Sequence, residues 1–253
     1  MSKGNISGYG LIGFPLSHSW SAKYFLEKFE REKLTDSFYQ LFPLPTLSAF
    51  SSLLDDHPEL SGLNVTIPYK EKIISYLDEL DQKAREIGAV NTIKITRLYG
   101  KILTKGFNTD EEGFILSADF SGYSQAFILG TGGASRAVAY ALRKAGIPYT
   151  FVSRNPRNKD AISYTDFQSI PFNSPALIIN TTPLGMYPDI NSYPQIPYNK
   201  LTPDDFLYDL VYNPEQTLFL KKGFESGART QNGLKMLKIQ AEKSYEIWTI
   251  ENE

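Results

Sequence analysis

Six consecutive residues, Gly130-Thr131-Gly132-Gly133-Ala134-Ser135, constrain this chain more than any others. They lie between an apolar run, Ala126 to Leu129, and a stretch that sets Val138, Ala141, Leu142 and Ala145 on one helical face. A buried strand turning through glycines into an amphipathic helix is how a βαβ nucleotide-binding unit opens. Glycines permit the tight turn and let backbone N–H groups approach a pyrophosphate, and the helix dipole favours an anion there. Ser135 replaces the third glycine of the G-x-G-x-x-G spacing. The run therefore argues for dinucleotide binding through its setting, strand before and helix after, more than through its spelling.

The same alternation continues downstream. Gly146 and Pro148 end the helix, and strands are predicted at Tyr149–Val152, Ala176–Ile179 and Phe206–Leu210. Asn213 and Pro214 read as the N-cap and first turn of another helix, and a last helix starts near Gly233. The end of the second strand decides the cofactor. NAD sites place Asp or Glu there to bind the ribose 2′-hydroxyl. Here the residues are Ser153-Arg154-Asn155, with Arg157 close by and no carboxylate before Asp160. A guanidinium suits a 2′-phosphate, which points to NADP. The competing reading is a pair of solvated loop arginines.

The first half is also α/β in pattern. Strands are expected at Tyr9–Gly13 and Phe38–Phe42, with a helix from about Ser19 to Lys33 between them. Leu63, Val65 and Ile67 alternate with Asn64 and Thr66, the period of a strand. Pro68 stops that strand, and Tyr69 to Leu77 reads as a helix with Lys70 at its start. Thr109-Asp110-Glu111-Glu112 has the form of a capping box, and the domain boundary is placed there. The expected fold is α/β in two parts. An N-terminal α/β domain covers 1–109, with 233–253 returning to it as a C-terminal helix. A Rossmann-like dinucleotide domain covers 110–232.

Composition removes several classes of function. The 253 residues contain no cysteine, which excludes disulfides, thiolate nucleophiles and cysteine metal sites. With only His18 and His57, a His-rich metal site is excluded too, and no metal is expected. Lys plus Arg total 26 against 28 Asp plus Glu, so a net charge of -2 gives no reason to expect a nucleic-acid or anionic-membrane partner. No run approaches the ~20 apolar residues of a membrane span, and residues 1–13 read as a first strand rather than a signal peptide. A cytoplasmic enzyme, monomer or homodimer, acting on a small molecule is the simplest expectation.

Several polar residues of the first half each have a structural explanation. Asn64 and Thr66 could form a solvated strand face, Asn91-Thr92 a strand end, Ser19 an N-cap, and Asp110 an acid favoured by a helix dipole. Together they gain weight from a resemblance. Gly13-Phe14-Pro15-Leu16-Ser17-His18-Ser19-Trp20-Ser21 resembles the N-terminal signature of the shikimate dehydrogenase family. Asn64-Val65-Thr66-Ile67-Pro68-Tyr69-Lys70-Glu71 resembles the segment that carries its catalytic lysine. Gly88 to Thr92, Asn108 to Asp110, Gly130 to Arg136, Ile179 to Met186, Tyr208 to Tyr212 and Gly233 to Ala241 are similar to further family segments, in order. The chain departs from the family at Lys235, Lys238, Asn232 and Trp20.

The resemblance implies NADP-dependent reduction of 3-dehydroshikimate to shikimate, in aromatic amino-acid biosynthesis. Its relatives include quinate/shikimate dehydrogenases that use NAD or both cofactors; a binding module without turnover is the reading from another class. The resemblance also implies site roles. Lys70 would donate the proton, and Asp110 would keep that lysine charged. Ser19 and Ser21 would hold the substrate carboxylate, with Tyr212 nearby, while Asn64, Thr66, Asn91 and Gln240 would bind ring hydroxyls. Cofactor contacts fall on Gly130, Thr131, Gly132, Gly133, Ala134, Ser153, Arg154, Asn155, Arg157, Thr182, Leu210 and Gly233. His18 is given no catalytic role, because Lys70 already supplies the proton.

Overall fold

A computed structural model of the chain describes residues 7–16, 19–156, 161–171 and 175–250. It divides into two compact units, Met1–Thr109 with Ala241–Glu253, and Asp110–Gln240. The first unit is built on six strands: β1 (Ser7–Gly13), β2 (Ser37–Pro43), β3 (Leu60–Val65), β4 (Glu79–Leu80), β5 (Thr92–Leu98) and β6 (Lys101–Phe107). Their order is β2-β1-β3-β5-β6-β4. β1 pairs in parallel with β2 and β3, and such pairs need crossovers. Those crossovers contain α1 (Trp20–Glu32) and α2 (Phe50–Asp56), and α3 (Gln82–Ile87) follows β4. β5 is antiparallel to β3 and β6, and turns into β6 through Tyr99 and Gly100, both at positive φ.

Both faces of this sheet are covered. On one, Ile12, Leu63, Val65 and Ile93 pack with Phe50 and Leu53 of α2. On the other, Tyr9 packs with Phe25 and Phe29 of α1 and with Trp248 of the C-terminal helix. The Tyr9 and Trp248 rings stack with centroids 4.8 Å apart. The Trp248 indole N–H donates to the carbonyl of Ile93 at 3.0 Å.

The second unit begins with α4 (Asp110–Ile115) and contains β7 (Gln125–Leu129), α5 (Gly133–Lys144), β8 (Tyr149–Ser153), β9 (Ala161–Ser163), α6 (Tyr164–Ser169), β10 (Ala176–Asn180), β11 (Phe206–Asp209), α7 (Leu218–Glu225), β12 (Arg229–Gln231) and α8 (Leu234–Thr249). The sheet order is β12-β11-β10-β7-β8-β9, and every pairing is parallel. This is the doubly wound order, with the chain reversing direction across the sheet between β7 and β10. Central strands of such a sheet are buried on both faces, which explains their unbroken apolar runs. Ala126, Ile128, Leu177 and Ile179 face one core, and Phe127, Leu129, Ala176 and Ile178 the other. Helix α8 is divided at residue 240, its later part grouping with the first unit. Among the described residues no helix is long and apolar enough to cross a membrane.

Some expected elements differ. β3 ends at Val65, so Thr66 lies beyond the strand instead of sharing its face with Asn64. The helix expected over 69–77 is a turn followed by a short 3-10 helix, Lys72–Tyr76. Thr92 opens β5, with Asn91 just before it, and the pair does not end a strand. α7 starts at Leu218 rather than at Pro214, because the Thr217 hydroxyl caps it by accepting from the Leu220 N–H.

Gly62 provides a test of the first unit's packing. A Cβ at this position would lie 2.2 Å from Cδ1 of Trp248, whose ring is fixed by its stack and its hydrogen bond. Gly62→Ala is expected to lower stability by about 1–3 kcal/mol, the scale of overpacking. The measurement is the urea unfolding midpoint. An unchanged midpoint would mean that the indole shifts freely and does not lock the C-terminal helix to this sheet.

Candidate active site

In the first unit the sequence-predicted polar residues cluster around the ends of β1, β3 and β5. Asn64, at 5% exposure, donates from Nδ2 to the Asn91 carbonyl at 3.2 Å and to Ser244 Oγ at 2.9 Å. Its Oδ1 accepts from the Tyr39 hydroxyl at 2.9 Å. An amide nitrogen has two hydrogens, so Asn64 meets a further partner as an acceptor. Ser21 lies in the first turn of α1, near the Tyr39 hydroxyl. Burial pushes the Tyr39 hydroxyl pKa up, Ser21 opposes this, and the phenol remains a neutral donor. Ser19 occupies the N-cap position of α1, yet its side chain makes no capping bond. Capping therefore does not account for it.

Asn91 is also buried. Its Oδ1 accepts from the Thr109 N–H at 2.8 Å, and its Nδ2 donates to the Thr109 hydroxyl at 2.9 Å. Lys70 sits half-buried in the turn after β3. Its carbonyl accepts from the Val90 N–H at 2.7 Å, which ties the lysine's turn to the segment that carries Asn91. Thr66 is half-buried, and its N–H donates to the Ile12 carbonyl at 2.9 Å.

Sequence reasoning passed over four members of this cluster. Thr109 is expected from the sequence only as a helix cap and Thr92 only as part of a strand end, while Tyr39 and Ser244 carry no expectation. Thr92 and Ser244 are fully buried with hydroxyls 2.7 Å apart. Ser244 lies four residues after Gln240, on the same helix face, and that spacing could have flagged it. No local pattern links Tyr39 to Asn64.

In the second unit the predicted cofactor residues lie at the C-terminal ends of parallel strands, where doubly wound folds bind ligands. Gly130 ends β7 at φ +109°, with Thr181 and Thr182 of the β10 loop packed so close that no Cβ would fit. Gly132 is the N-cap residue of α5 and makes no side-chain cap, and Gly133 and Ala134 begin the helix. Thr131 and Gly132 are exposed. A Cβ on Gly132 would meet nothing within 4 Å, so the helix N-terminus faces open space. After β8, the Ser153 hydroxyl accepts from the Asn155 N–H at 3.3 Å, shaping the turn on which Arg154 is exposed. Arg154 lies near enough to Tyr164 to draw its hydroxyl down, against burial that pushes it up to about 12. Arg157 lies outside the described residues, as do Ser17 and His18.

Thr182 and Leu210 follow β10 and β11, and the Leu210 N–H donates to the Asn180 carbonyl at 2.9 Å. Gly233 is packed against the Leu210 main chain. Tyr212 is half-buried just beyond. Asp110 opens α4 and is 4% exposed. The Gln240 side-chain Nε2 donates within its own helix, to the Leu237 carbonyl at 3.0 Å.

An all-parallel doubly wound sheet, a glycine turn after its first strand and an arginine in place of an acid after its second define a dinucleotide-binding protein of the NADP-linked dehydrogenase class. Comparison with known proteins narrows the class. A family model described as the shikimate dehydrogenase substrate binding domain matches residues 11–93. A shikimate dehydrogenase (NADP(+)) from Carboxydothermus hydrogenoformans is 39% identical, covering 95% of this chain and 90% of its own. A chorismate mutase/shikimate 5-dehydrogenase fusion protein from Clostridium acetobutylicum superposes with a TM-score of 0.84 at 38% identity, covering 97% of this chain and 92% of that one. Shikimate 5-dehydrogenase from Thermus thermophilus, solved with NADP(H) and shikimate, gives 0.79 at 30% identity, covering 96% and 93%. This chain belongs to the shikimate dehydrogenase family.

The open space at Gly132 separates a folding role from a binding role. Gly132 has φ -88° and ψ -174°, backbone that alanine also adopts. Gly132→Ala is expected to leave the melting temperature unchanged and to weaken NADP binding by about tenfold, because the methyl group occupies the approach to the helix N-terminus. Isothermal titration measures both arms alongside a thermal melt. Unchanged NADP affinity would remove the α5 N-terminus from the cofactor site.

Proposed function

We propose that this chain reduces 3-dehydroshikimate to shikimate with NADPH. The observation that carries the reading is identity of 39% with an NADP(+)-dependent shikimate dehydrogenase over 95% of the chain. Lys70 and the Asn64–Asn91 cluster fall within the segment matched as substrate binding domain. In this reading the first unit binds the substrate and the second binds the dinucleotide. The enzyme acts in the cytoplasm on a small molecule, as a monomer or homodimer, without nucleic acid or membrane.

When bound, the reduced cofactor supplies hydride to the ketone carbon. The chain's own groups do the rest. The carbonyl oxygen gains negative charge as the carbon is reduced, and Lys70 stabilises that charge and delivers a proton to it. Asp110 is the second catalytic residue of this reading. Ser19 and Ser21 donate hydroxyls to the substrate carboxylate, with Tyr212. Asn64 accepts from a ring hydroxyl, and Thr66, Asn91 and Gln240 complete the contacts. The N–H groups at Gly132, Gly133 and Ala134 hold the pyrophosphate, and Gly130 and Thr131 shape the turn. Ser153, Arg154, Asn155 and Arg157 bind the 2′-phosphate, while Thr182, Leu210 and Gly233 contact the other half of the cofactor.

Lys70→Ala tests the chemical assignment. Losing an acid–base group lowers kcat by about two to four orders of magnitude. The expected result is that loss in a protein with wild-type melting behaviour. A folded variant that keeps a normal kcat would show that the proton comes from elsewhere.

Arg154→Ala tests the cofactor assignment. A charge-assisted bond to the 2′-phosphate contributes about 1.5–3 kcal/mol, so KM for NADP should rise about tenfold or more. NAD kinetics should change little, because NAD lacks that phosphate. Equal losses with both cofactors would mean that Arg154 only supports its loop.

A further inference from the structure

The C-terminal edge of the second unit contains a buried carboxyl that the proposed chemistry does not use. Asp209, the last residue of β11, and Asn180, the last of β10, are register partners and are both fully buried. Asn180 Nδ2 donates to Asp209 Oδ1 at 2.9 Å and to the Leu184 carbonyl at 3.3 Å. Asn180 Oδ1 accepts from Thr182 twice, from its hydroxyl at 2.6 Å and from its N–H at 3.1 Å. Asp209 Oδ1 also accepts from the Val211 N–H at 3.0 Å. Its Oδ2 accepts at 2.6 Å from Thr217, the N-cap of α7. The main chain extends the web, since the Gly233 N–H donates to the Val211 carbonyl at 3.2 Å.

Three branches of this web lead to proposed cofactor contacts. Asn180 fixes Thr182 through both of its polar groups and Leu210 through its own carbonyl. Asp209 fixes Val211, and Val211 fixes Gly233. We propose that Asp209 and Asn180 are positioning residues for the dinucleotide, holding the loops after β10 and β11 in the conformation that receives it. This rests on the reading of Thr182, Leu210 and Gly233 as cofactor contacts. Burial pushes the Asp209 carboxyl up to about 7, opposed by the bonds from Thr217, Val211 and Asn180. In either protonation state an oxygen must face Asn180 and Val211, and that oxygen is what the web requires.

The pair can be tested by NADP titration calorimetry and steady-state kinetics on the full chain. Asp209→Ala removes the acceptor and should raise both Kd and KM for NADP by at least about tenfold. At saturating NADP, kcat and the KM for shikimate should stay within about threefold of wild type. Asp209→Asn keeps an oxygen toward Asn180 and Val211 and should bring NADP binding back to within about threefold. Should Asp209→Ala fail to fold, Asn180→Asp decides. It is isosteric and keeps both bonds from Thr182, but it sets an oxygen against Asp209 Oδ1, and it should weaken NADP binding by about fivefold or more. A folded Asp209→Ala or Asn180→Asp that binds NADP as tightly as wild type overturns the proposal. So does a variant in which only the melting temperature falls. Wild-type protein that binds no NADP instead overturns the cofactor reading beneath it.

Discussion

The parallel pairing of β7 with β10 is the constraint on which the second unit depends. Residues 125–129 and 176–180 align one to one, and both strands are covered on each face. A parallel pair cannot be closed by a tight turn, so the chain must cross over between its strands. The strand order reverses at this pair, and it is at such a reversal, beyond the carboxyl ends of the strands, that doubly wound folds bind ligands. Gly130 is held there by close contact with Thr181 and Thr182, and α5 starts three residues later. Thr182 is set in turn by Asn180, and Leu210 by the same residue's carbonyl. The exposed glycine turn and the hydrogen-bonded loops opposite it follow from a single strand pairing.

The first unit solves a different problem. It buries amides and hydroxyls, which cost free energy unless each finds a partner. Asn64, Asn91, Thr92, Thr109 and Ser244 satisfy one another across the strand ends and the C-terminal helix. Tyr39 donates to Asn64 from strand β2. The outcome is a set of fixed donors and acceptors of short reach, which suits a small polyhydroxy ring better than long flexible side chains would. Trp248 anchors the helix that contributes Ser244, by stacking on Tyr9 and bonding to Ile93.

Much of this was legible in the sequence because it is local. The apolar runs of β7 and β10, the glycine turn and the acid-free end of β8 are all read within a few residues. Eight ordered segments that resemble one family identified the function more sharply than any pattern of hydrophobicity. What escaped was non-local or marginal. The 3-10 turn at Lys72–Tyr76 and the start of α7 are set by short-range geometry that periodicity does not resolve. The pairs Tyr39–Asn64 and Thr92–Ser244 join residues far apart in the chain, and only the folded sheet brings them together. Asp209 reads in sequence as an acid at a strand end, and its three donors become visible only in the structure.

The central claim is that one chain couples a ring-binding polar cluster to an NADP-selective cradle. The most direct measurement is shikimate oxidation by the wild-type protein, followed by the absorbance of the reduced nicotinamide with NADP and NAD in parallel. The account predicts shikimate-dependent reduction of NADP, with kcat/KM about tenfold or more above that for NAD, since only NADP offers a phosphate to Arg154. Equal use of the two cofactors would contradict the reading of the β8 end. No shikimate-dependent reduction of either would contradict the enzymatic assignment itself.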